Sequence, residues 1–381
     1  MLTLILLMLT LKLHAMDPLN LDIFKSSAGK NFVFSPWSLS SALGLLYPGA
    51  KGATAAEISK VTGWASPADQ NQAMQSLNEL FQGELANGNK LENADSIWLQ
   101  EGQTFLPEYL QQVSNFNAGL YSKDFVNKYE SVRLEINKWV EDKTHDKIKD
   151  LLTPGTLSPE TRMVLCNAVY LKAKWQSPFE DYDTHDAEFH APDGVVKVPT
   201  MHQTSSFRYW EDKQCQYLML PYRGSQLYMV VCLPKQVDGL AAFIKDLDGA
   251  SLTQTLKSGF IAEYERVEVS LPKWKTESTL DKLSRDMRAA GLTKIFGGGD
   301  LSGLTGEPGL FVSDVIQKAM IDVSEEGTEA AAATAMMVAG CSMMPAKPVE
   351  FKADHPFAYF LFATPRSGNF CTLFAGTLVK P

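Results

Sequence analysis

The sequence predicts one α+β domain built around large mixed β-sheets. Three observations carry that reading. Helical periodicities crowd the first part of the chain, strand-like runs take over from Arg162, and no linker, repeat or shift in composition interrupts the sequence between the N-terminus and residue 325. At 381 residues, with 45% hydrophobic and 21% charged side chains, the chain can bury a large core.

Taken in order, the chain opens MLTLILLMLTLKLHAMD. The apolar run Leu2–Leu11 has the length of a signal-peptide core and is too short to span a bilayer. Residues 1–15 are thus expected to be a signal peptide, making the protein secreted and extracellular. The competing reading is a cytoplasmic chain that starts near Met16. The run lacks a leading positive charge, and the sequence has no N-x-S/T sequon. Pro18 is expected to break the short helical stretch that follows. Ser38–Tyr47 and Thr54–Val61 read as short helices on either side of PGAKGA. Asn71–Leu85 places Met74, Leu77, Leu80, Phe81 and Leu85 on one helical face, and Val132–Leu152 repeats the pattern. Strands follow at Met163–Leu171, QYLMLPY, LYMVVCLP and ERVEVSLPKW. The end of the chain reads as two apolar strands joined by a Thr-Pro-Arg-Ser-Gly-Asn hairpin.

Net charge is −9 and no basic run occurs, which excludes nucleic acid and anionic membranes as partners. The five cysteines, Cys166, Cys215, Cys232, Cys341 and Cys371, are odd in number and form no C-x-x-C pair. A disulfide framework or a structural zinc site is therefore not expected, and four of them read as buried thiols. No catalytic site emerges either. There is no G-x-S-x-G elbow, His185 and His190 lack zincin spacing, and Gly297-Gly298-Gly299 is not followed by Lys-Ser/Thr. Cys341 has no local activator. The chain is expected to be no enzyme and to need no cofactor or metal.

The most biased segment is EEGTEAAAATAMMVAGCSMMPAKP, Glu325–Pro348. Thr328, Glu329 and the alanines look like a capped helix start, yet Gly327, Gly340, Pro345 and Pro348 bracket them. A period of two reads differently: Thr328, Ala330, Ala332, Thr334, Met336 and Val338 form one face, beginning with small uncharged side chains. A strand of that kind fits between two others, because its inner side chains need little room. Held out, it leaves backbone groups in water. Inserted, it gains roughly ten to fifteen ladder bonds at about 1 kcal/mol each, on the order of 10 kcal/mol. That rivals the whole stability of a domain, roughly 5–15 kcal/mol, so the held-out form is metastable and a cut in the segment would release it.

The segment EEGTEAAAAT resembles the proximal hinge of the serpins. Asn31–Ile58 (NFVFSPWSLSSALGLLYPGAKGATAAEI) is similar to that family's N-V-F-F-S-P-x-S-I-S-S-A-L block and the G-A-x-G-x-T-x-x-E-I after it. LCNAVYLKAKWQSPF, VEVSLPKWK, LSGL and FKADHPFAYFL continue the likeness, which spans Leu21–Pro381. It implies one serpin domain over 16–381, with a large mixed central β-sheet, two further sheets, about eight to nine helices and an exposed reactive-centre loop at 327–347.

The resemblance also implies roles. Glu325, Glu326, Gly327, Thr328, Glu329, Ala330, Ala331, Ala332, Ala333 and Thr334 match the hinge that zips into the central sheet. Ser35, Ser38 and Asn167 match the shutter beneath it, and Trp175 matches the breach where the loop first enters. Gln317 stands in VIQKA where the family usually has a histidine, keeping an amide in place of an imidazole. The small hinge residues are those of inhibitory members, so the implied function is a suicide-substrate inhibitor of serine proteases, with cysteine proteases as a variant. The target forms an acyl-enzyme and is trapped covalently as the cut loop inserts. About fifteen inserted residues at about 3.3 Å each span about 50 Å, close to the diameter of such a domain. A non-inhibitory carrier, chaperone or storage protein is the alternative. Counting fourteen from Gly327 gives Cys341-Ser342 as the reactive bond, with Met343-Met344 as the alternative. Both suit elastase- or chymotrypsin-like targets, and no Arg or Lys lies between Gly327 and Ala346. The helix at Asn71–Leu85 carries Glu79 and Glu84 and no basic residue, which argues against heparin. The protein is expected to be a monomer apart from its protease.

Overall fold

A computed structural model describes residues 16–84, 87–328, 347–364 and 371–381. The first part contains α1 (Pro18–Lys25), β1 (Phe32–Phe34), α2 (Pro36–Leu46), α3 (Gly52–Thr62), α4 (Pro67–Glu84), β2 (Lys90–Gln100), α5 (Pro107–Gln112), β3 (Gly119–Lys123) and α6 (Phe125–Lys143). Strands then dominate: β4 (Met163–Lys174), β5 (His185–Ala191), β6 (Gly194–Glu211), β7 (Cys215–Pro221) and β8 (Leu227–Pro234). After α7 (Leu240–Asp246) and α8 (Gly249–Ile261) come β9 (Tyr264–Pro272), β10 (Trp274–Leu280), α9 (Leu283–Ala289) and α10 (Ser302–Thr305). The chain closes with β11 (Asp314–Ser324), β12 (Gly327–Thr328), β13 (Val349–Lys352), β14 (Phe357–Ala363) and β15 (Cys371–Leu378).

Local chemistry explains where the helices start. Asp17 caps α1 by accepting from the Asn20 amide, and Pro18 takes the first helical position, where its missing N–H costs nothing. The proline therefore begins this helix, against the expectation that it would break it. Ser35 caps α2 in the same way, accepting from the Ser38 amide ahead of Pro36. The helix expected at Val132–Leu152 instead covers Phe125–Lys143. Asp124 caps it early by accepting from the Asn127 amide. His145, Asp146 and Asp150 take left-handed backbone angles just beyond its end, which stops the helix despite the apolar spacing through Ile148.

Six strands form one sheet in the order β10-β11-β12-β4-β2-β3. Nine form the other, running β1-β15-β14-β8-β7-β6-β9-β13, with β5 paired to β6. The two smaller sheets expected from sequence are continuous here, because the 18-residue β6 pairs with β5 near its start, β9 along its middle and β7 at its end. Among the described residues there are ten α-helices, two of them only four and six residues long. None is long and apolar enough to cross a membrane. Cys166, Cys215 and Cys232 are buried free thiols, while Cys371 is free and half-buried.

The main core lies between the sheets and around α2, whose Leu39, Leu43, Leu45 and Leu46 are buried in it. A second core lies under α6. There Val132, Ile136 and Val140 pack on Val164, Cys166, Ala168 and Tyr170 of β4 and on Ile316 and Met320 of β11. The helix thus covers one face of the β4–β11 junction, and α2 lies against the other.

Candidate functional site

Along most of their length β4 and β11 pair in parallel, with Asp314–Met320 set against Val164–Tyr170. Beyond Met320 they part, and β12 fills the gap. Gly327 lies opposite Ser324 and Lys174, and Thr328 opposite Val323 and Ala173, antiparallel to both strands. Only glycine fits at the first position: φ is +150°, and a Cβ there would lie 2.0 Å from the Ala173 carbonyl oxygen. Thr328 is fully buried, and its hydroxyl is 2.7 Å from that of Tyr222.

Trp175 organises the mouth of this gap. Its indole stacks on Tyr222 with ring centres 4.4 Å apart, and its Nε1–H donates to the Ser324 carbonyl at 3.0 Å. Its backbone N–H donates to Glu326 O, and that of Phe179 to Glu325 O, each at 2.8 Å. The Glu325 side chain accepts from Thr184 Oγ1 at 2.9 Å and pairs with Lys273 Nζ at 2.8 Å. Burial opposes ionisation of Glu325, but the Lys273 ammonium and the surrounding donors outweigh it and hold the carboxyl below the usual glutamate range. Glu326 faces Lys174 at 3.8 Å. The turn before β12 is therefore pinned by backbone and charge together.

Under the closed part of the junction lies a second polar cluster, facing α2. Gln317 is fully buried and makes three bonds. Its Oε1 accepts from the Ser35 amide at 3.1 Å, and its Nε2 donates to Ser35 O at 3.0 Å and to Asn167 Oδ1 at 2.8 Å. Asn167 Nδ2 in turn donates to Ser38 O at 3.1 Å and to Ser38 Oγ and Asp95 Oδ1. Ser35 Oγ donates to Leu373 O at 2.5 Å, and Ser38 Oγ to Asn93 Oδ1 at 2.6 Å. Asp95 closes the network, its Oδ2 accepting from Ser41 Oγ and Asn93 Nδ2, each at 2.6 Å. Complete burial pushes the Asp95 carboxyl up to about 6, against the pull of those three donors.

The structure thus brings Ser35, Ser38, Asn167 and Gln317 into one network, and sets Trp175 beside Glu325, Glu326, Gly327 and Thr328. Glu329, Ala330, Ala331, Ala332, Ala333, Thr334, Cys341, Ser342, Met343 and Met344 lie outside the described residues, as do residues 1–15. Sequence reading missed Ser41, Asn93, Asp95 and Tyr222. Two signals point to the first three: serines at 35, 38 and 41 recur along one helical face, and Asn93 and Asp95 alternate toward the core of β2. Tyr222 sits at the end of an apolar run and carries no such mark. Among the described residues no group of three or more His, Cys, Asp or Glu side chains is placed to hold a metal.

Residues 19–381 match the family model described as Serpin (serine protease inhibitor). A serpin-like protein of Thermococcus kodakarensis is 37% identical over 97% of this chain and 85% of its own. Leukocyte elastase inhibitor A of Mus musculus is 36% identical, covering 94% of this chain and 95% of its own. Among solved structures, Serpin48 of the insect Tenebrio molitor superposes with a TM-score of 0.79 at 32% identity, covering 95% of each chain.

Proposed function

This chain belongs to the serpin family, described as serine protease inhibitors and not enzymes, and from that premise we propose that it is one of the inhibitory members, a suicide-substrate inhibitor of serine proteases that traps its target by inserting its own cut loop. The observation that supports this reading is the seating of Gly327 and Thr328 between β4 and β11, at the point where those strands part. Continuing that antiparallel register would bring Ala330 between Ile321 and Leu171, Ala332 between Ala319 and Val169, and Thr334 between Gln317 and Asn167. Side chains at those positions would face α2, as those of Gln317 and Asn167 do, and alanines and threonines ask for little room there.

Insertion to that depth must separate Asp314–Met320 from Val164–Tyr170, and with them the Gln317–Asn167 bond. The parallel bonds lost are replaced by two antiparallel ladders, one on each flank of the new strand, so the net gain is on the order of 10 kcal/mol. The protease serine attacks the Cys341 carbonyl carbon. The peptide bond to Ser342 breaks, its nitrogen takes a proton and leaves, and the acyl ester joins the two proteins. Insertion then carries the ester, and the protease with it, away from the entry point before water can complete hydrolysis. This chain supplies no catalytic group.

Cys341 is small and weakly apolar, and with no Arg or Lys between Gly327 and Ala346 the loop suits elastase- or chymotrypsin-like enzymes. Cysteine proteases are a second target class, and Met343-Met344 the second bond. The name of the mouse relative, an elastase inhibitor, agrees with this choice. Activation by heparin through α4 is not part of the proposal, because that helix carries no Lys or Arg. Incubation with elastase, chymotrypsin, trypsin and a papain-like enzyme, followed by denaturing gels, tests the function. Stable complexes with the first two are expected. Nicking by every enzyme without a complex would instead favour a carrier, chaperone or storage protein. Mass analysis of the released peptide assigns the bond, and N-terminal sequencing decides between a leader cleaved after Ala15 and a chain retained in the cytoplasm.

A further inference from the structure

Beneath the β4–β11 junction, Asp95 of β2 is a fully buried carboxylate whose partners among the described residues are all neutral donors. Ser41 of α2 and Asn93 of its own strand bond Oδ2, each at 2.6 Å, and Asn167 of β4 bonds Oδ1. The other elements packed on β2 bring no charge to it. α6 packs on Ala94 and Trp98 from the opposite face, and β3 pairs with β2 only from Ser96 onward. α4 turns its carboxylate, Glu84, to Asn87 and Asn89. A second carboxylate beside α2, Asp17, accepts from Asn20 and Ser40 instead.

The helix that supplies Ser41 spans the junction. Ser35, at its start, follows directly from β1, which pairs with β15, and it bonds Leu373 of β15 and Gln317 of β11. Farther along, Ser38 and Ser41 bond Asn93, Asn167 and Asp95 on β2 and β4, two strands paired with Asp95 opposite Asn167. The helix is thus joined through the chain to one side of the seam and through serine side chains to the other.

We propose that Asp95 is the positioning residue that makes strand insertion depend on pH, holding the sheet closed when it carries a proton and releasing it when ionised. The inference rests on the insertion reading above. When β2 and β4 move off β11 together, α2 stays with β1 and β15, Ser41 is drawn away from Asp95, and water reaches the carboxylate. In the closed sheet burial disfavours the charged form and raises the pKa to about 6, while hydration in the opened sheet returns it toward the ordinary 3.8. The closed sheet therefore binds the extra proton between those values. As pH falls through 6 the closed sheet gains stability and insertion slows. Above 6 the closed sheet buries a charge that opening hands to water. Between pH 7.5 and 5 the rate should fall about tenfold.

The probe is an N-acetylated, rhodamine-labelled peptide of residues 330–340, which has no titratable side chain. Added in excess to the intact full chain, it reports entry between β4 and β11 by the rise in its anisotropy. Wild type should take it up about ten times faster at pH 7.5 than at pH 5, with the midpoint near 6. Asp95→Asn, uncharged at every pH, should be slow at both, and it keeps Asp17, which titrates in the same range. Ser41→Ala removes one donor to the ionised form and should move the midpoint up, a shift that a merely structural loss does not produce. That variant keeps the test open if Asp95→Asn fails to fold. A wild-type rate that is constant with pH, the same pH dependence in Asp95→Asn, or an unmoved midpoint in Ser41→Ala overturns the role of Asp95 and leaves insertion standing. No uptake at any pH overturns the insertion reading, and this proposal with it.

Discussion

Replacing Thr328 by arginine strikes the first side chain that the hinge commits to the sheet. Its side chain has no exposure to solvent, and its hydroxyl is the partner of Tyr222, itself fully buried and stacked on Trp175. A guanidinium cannot occupy that space without losing its hydration, at several kcal/mol even after relaxation. The intact protein can relieve the strain by peeling Gly327 and Thr328 back out of the gap. That strands the Tyr222 hydroxyl at about 1–3 kcal/mol and loosens the mouth of the sheet. Insertion has no such escape, since every later residue must follow the second one in. With about 4 kcal/mol added to its barrier, insertion slows about a thousandfold, and hydrolysis of the acyl-enzyme wins the race. The assay is the ratio of covalent complex to cleaved chain on denaturing gels after reaction with elastase, with Thr328→Val as the uncharged control. The Arg variant should be cut with almost no complex, and the Val variant should still trap protease. An unchanged complex yield in Thr328→Arg, or an equal loss in Thr328→Val, would refute the placement of this residue in the path of insertion.

Further expectations concern the network beneath the sheet and the hinge glycine. Gln317→His replaces a group that makes three bonds by a neutral ring that can donate once and accept once, so urea unfolding at pH 7.5 should show a loss of about 1–2 kcal/mol. Asp95 is protonated more readily in the native state, where burial raises its pKa to about 6, than in the unfolded chain. The native state thus binds the extra proton, and this residue's contribution to stability rises as pH falls through 6. Between pH 7.5 and 5 the gain is about 1.4 kcal/mol, which Asp95→Asn should remove from the pH profile of urea unfolding. An identical pH profile in variant and wild type would place that titration elsewhere. Gly327→Ala drives a methyl into the Ala173 carbonyl and should expel β12, speeding amide hydrogen exchange at Thr328 and along the parted ends of β4 and β11.

Which parts of this were legible in the sequence follows from how local each feature is. The short motifs around Asn31–Ile58, Leu165–Phe179 and Glu325–Thr334 carried the fold, and LYMVVCLP fell on β8 to the residue. Boundaries set by a single cap were harder. Asp17 and Asp124 each start a helix through one side-chain bond, which apolar spacing does not report. The polar network was half visible. Ser35, Ser38, Asn167 and Gln317 stand in recognisable motifs, but Asp95 reaches Asn167 across 72 residues and Gln317 reaches it across 150. Pairings at that separation depend on sheet order, and an isolated Asp in a strand-like run gives no sign of burial. Trp175 stands in a recognisable motif, but its partner Tyr222, which bonds Thr328 on one side and stacks on the indole on the other, carries no local mark.

The most direct test of the insertion mechanism is thermal unfolding of the chain before and after a single cut between residues 329 and 346 by a protease that it does not trap. A gain on the order of 10 kcal/mol, spread over 381 residues at about 2.1 cal/mol/K each, corresponds to a rise in Tm on the order of 10 °C or more. A cut chain that melts well above the intact one is the predicted result. A cut chain that melts at the same temperature or lower would mean that the freed strand does not enter between β4 and β11, and the proposed mechanism would be wrong.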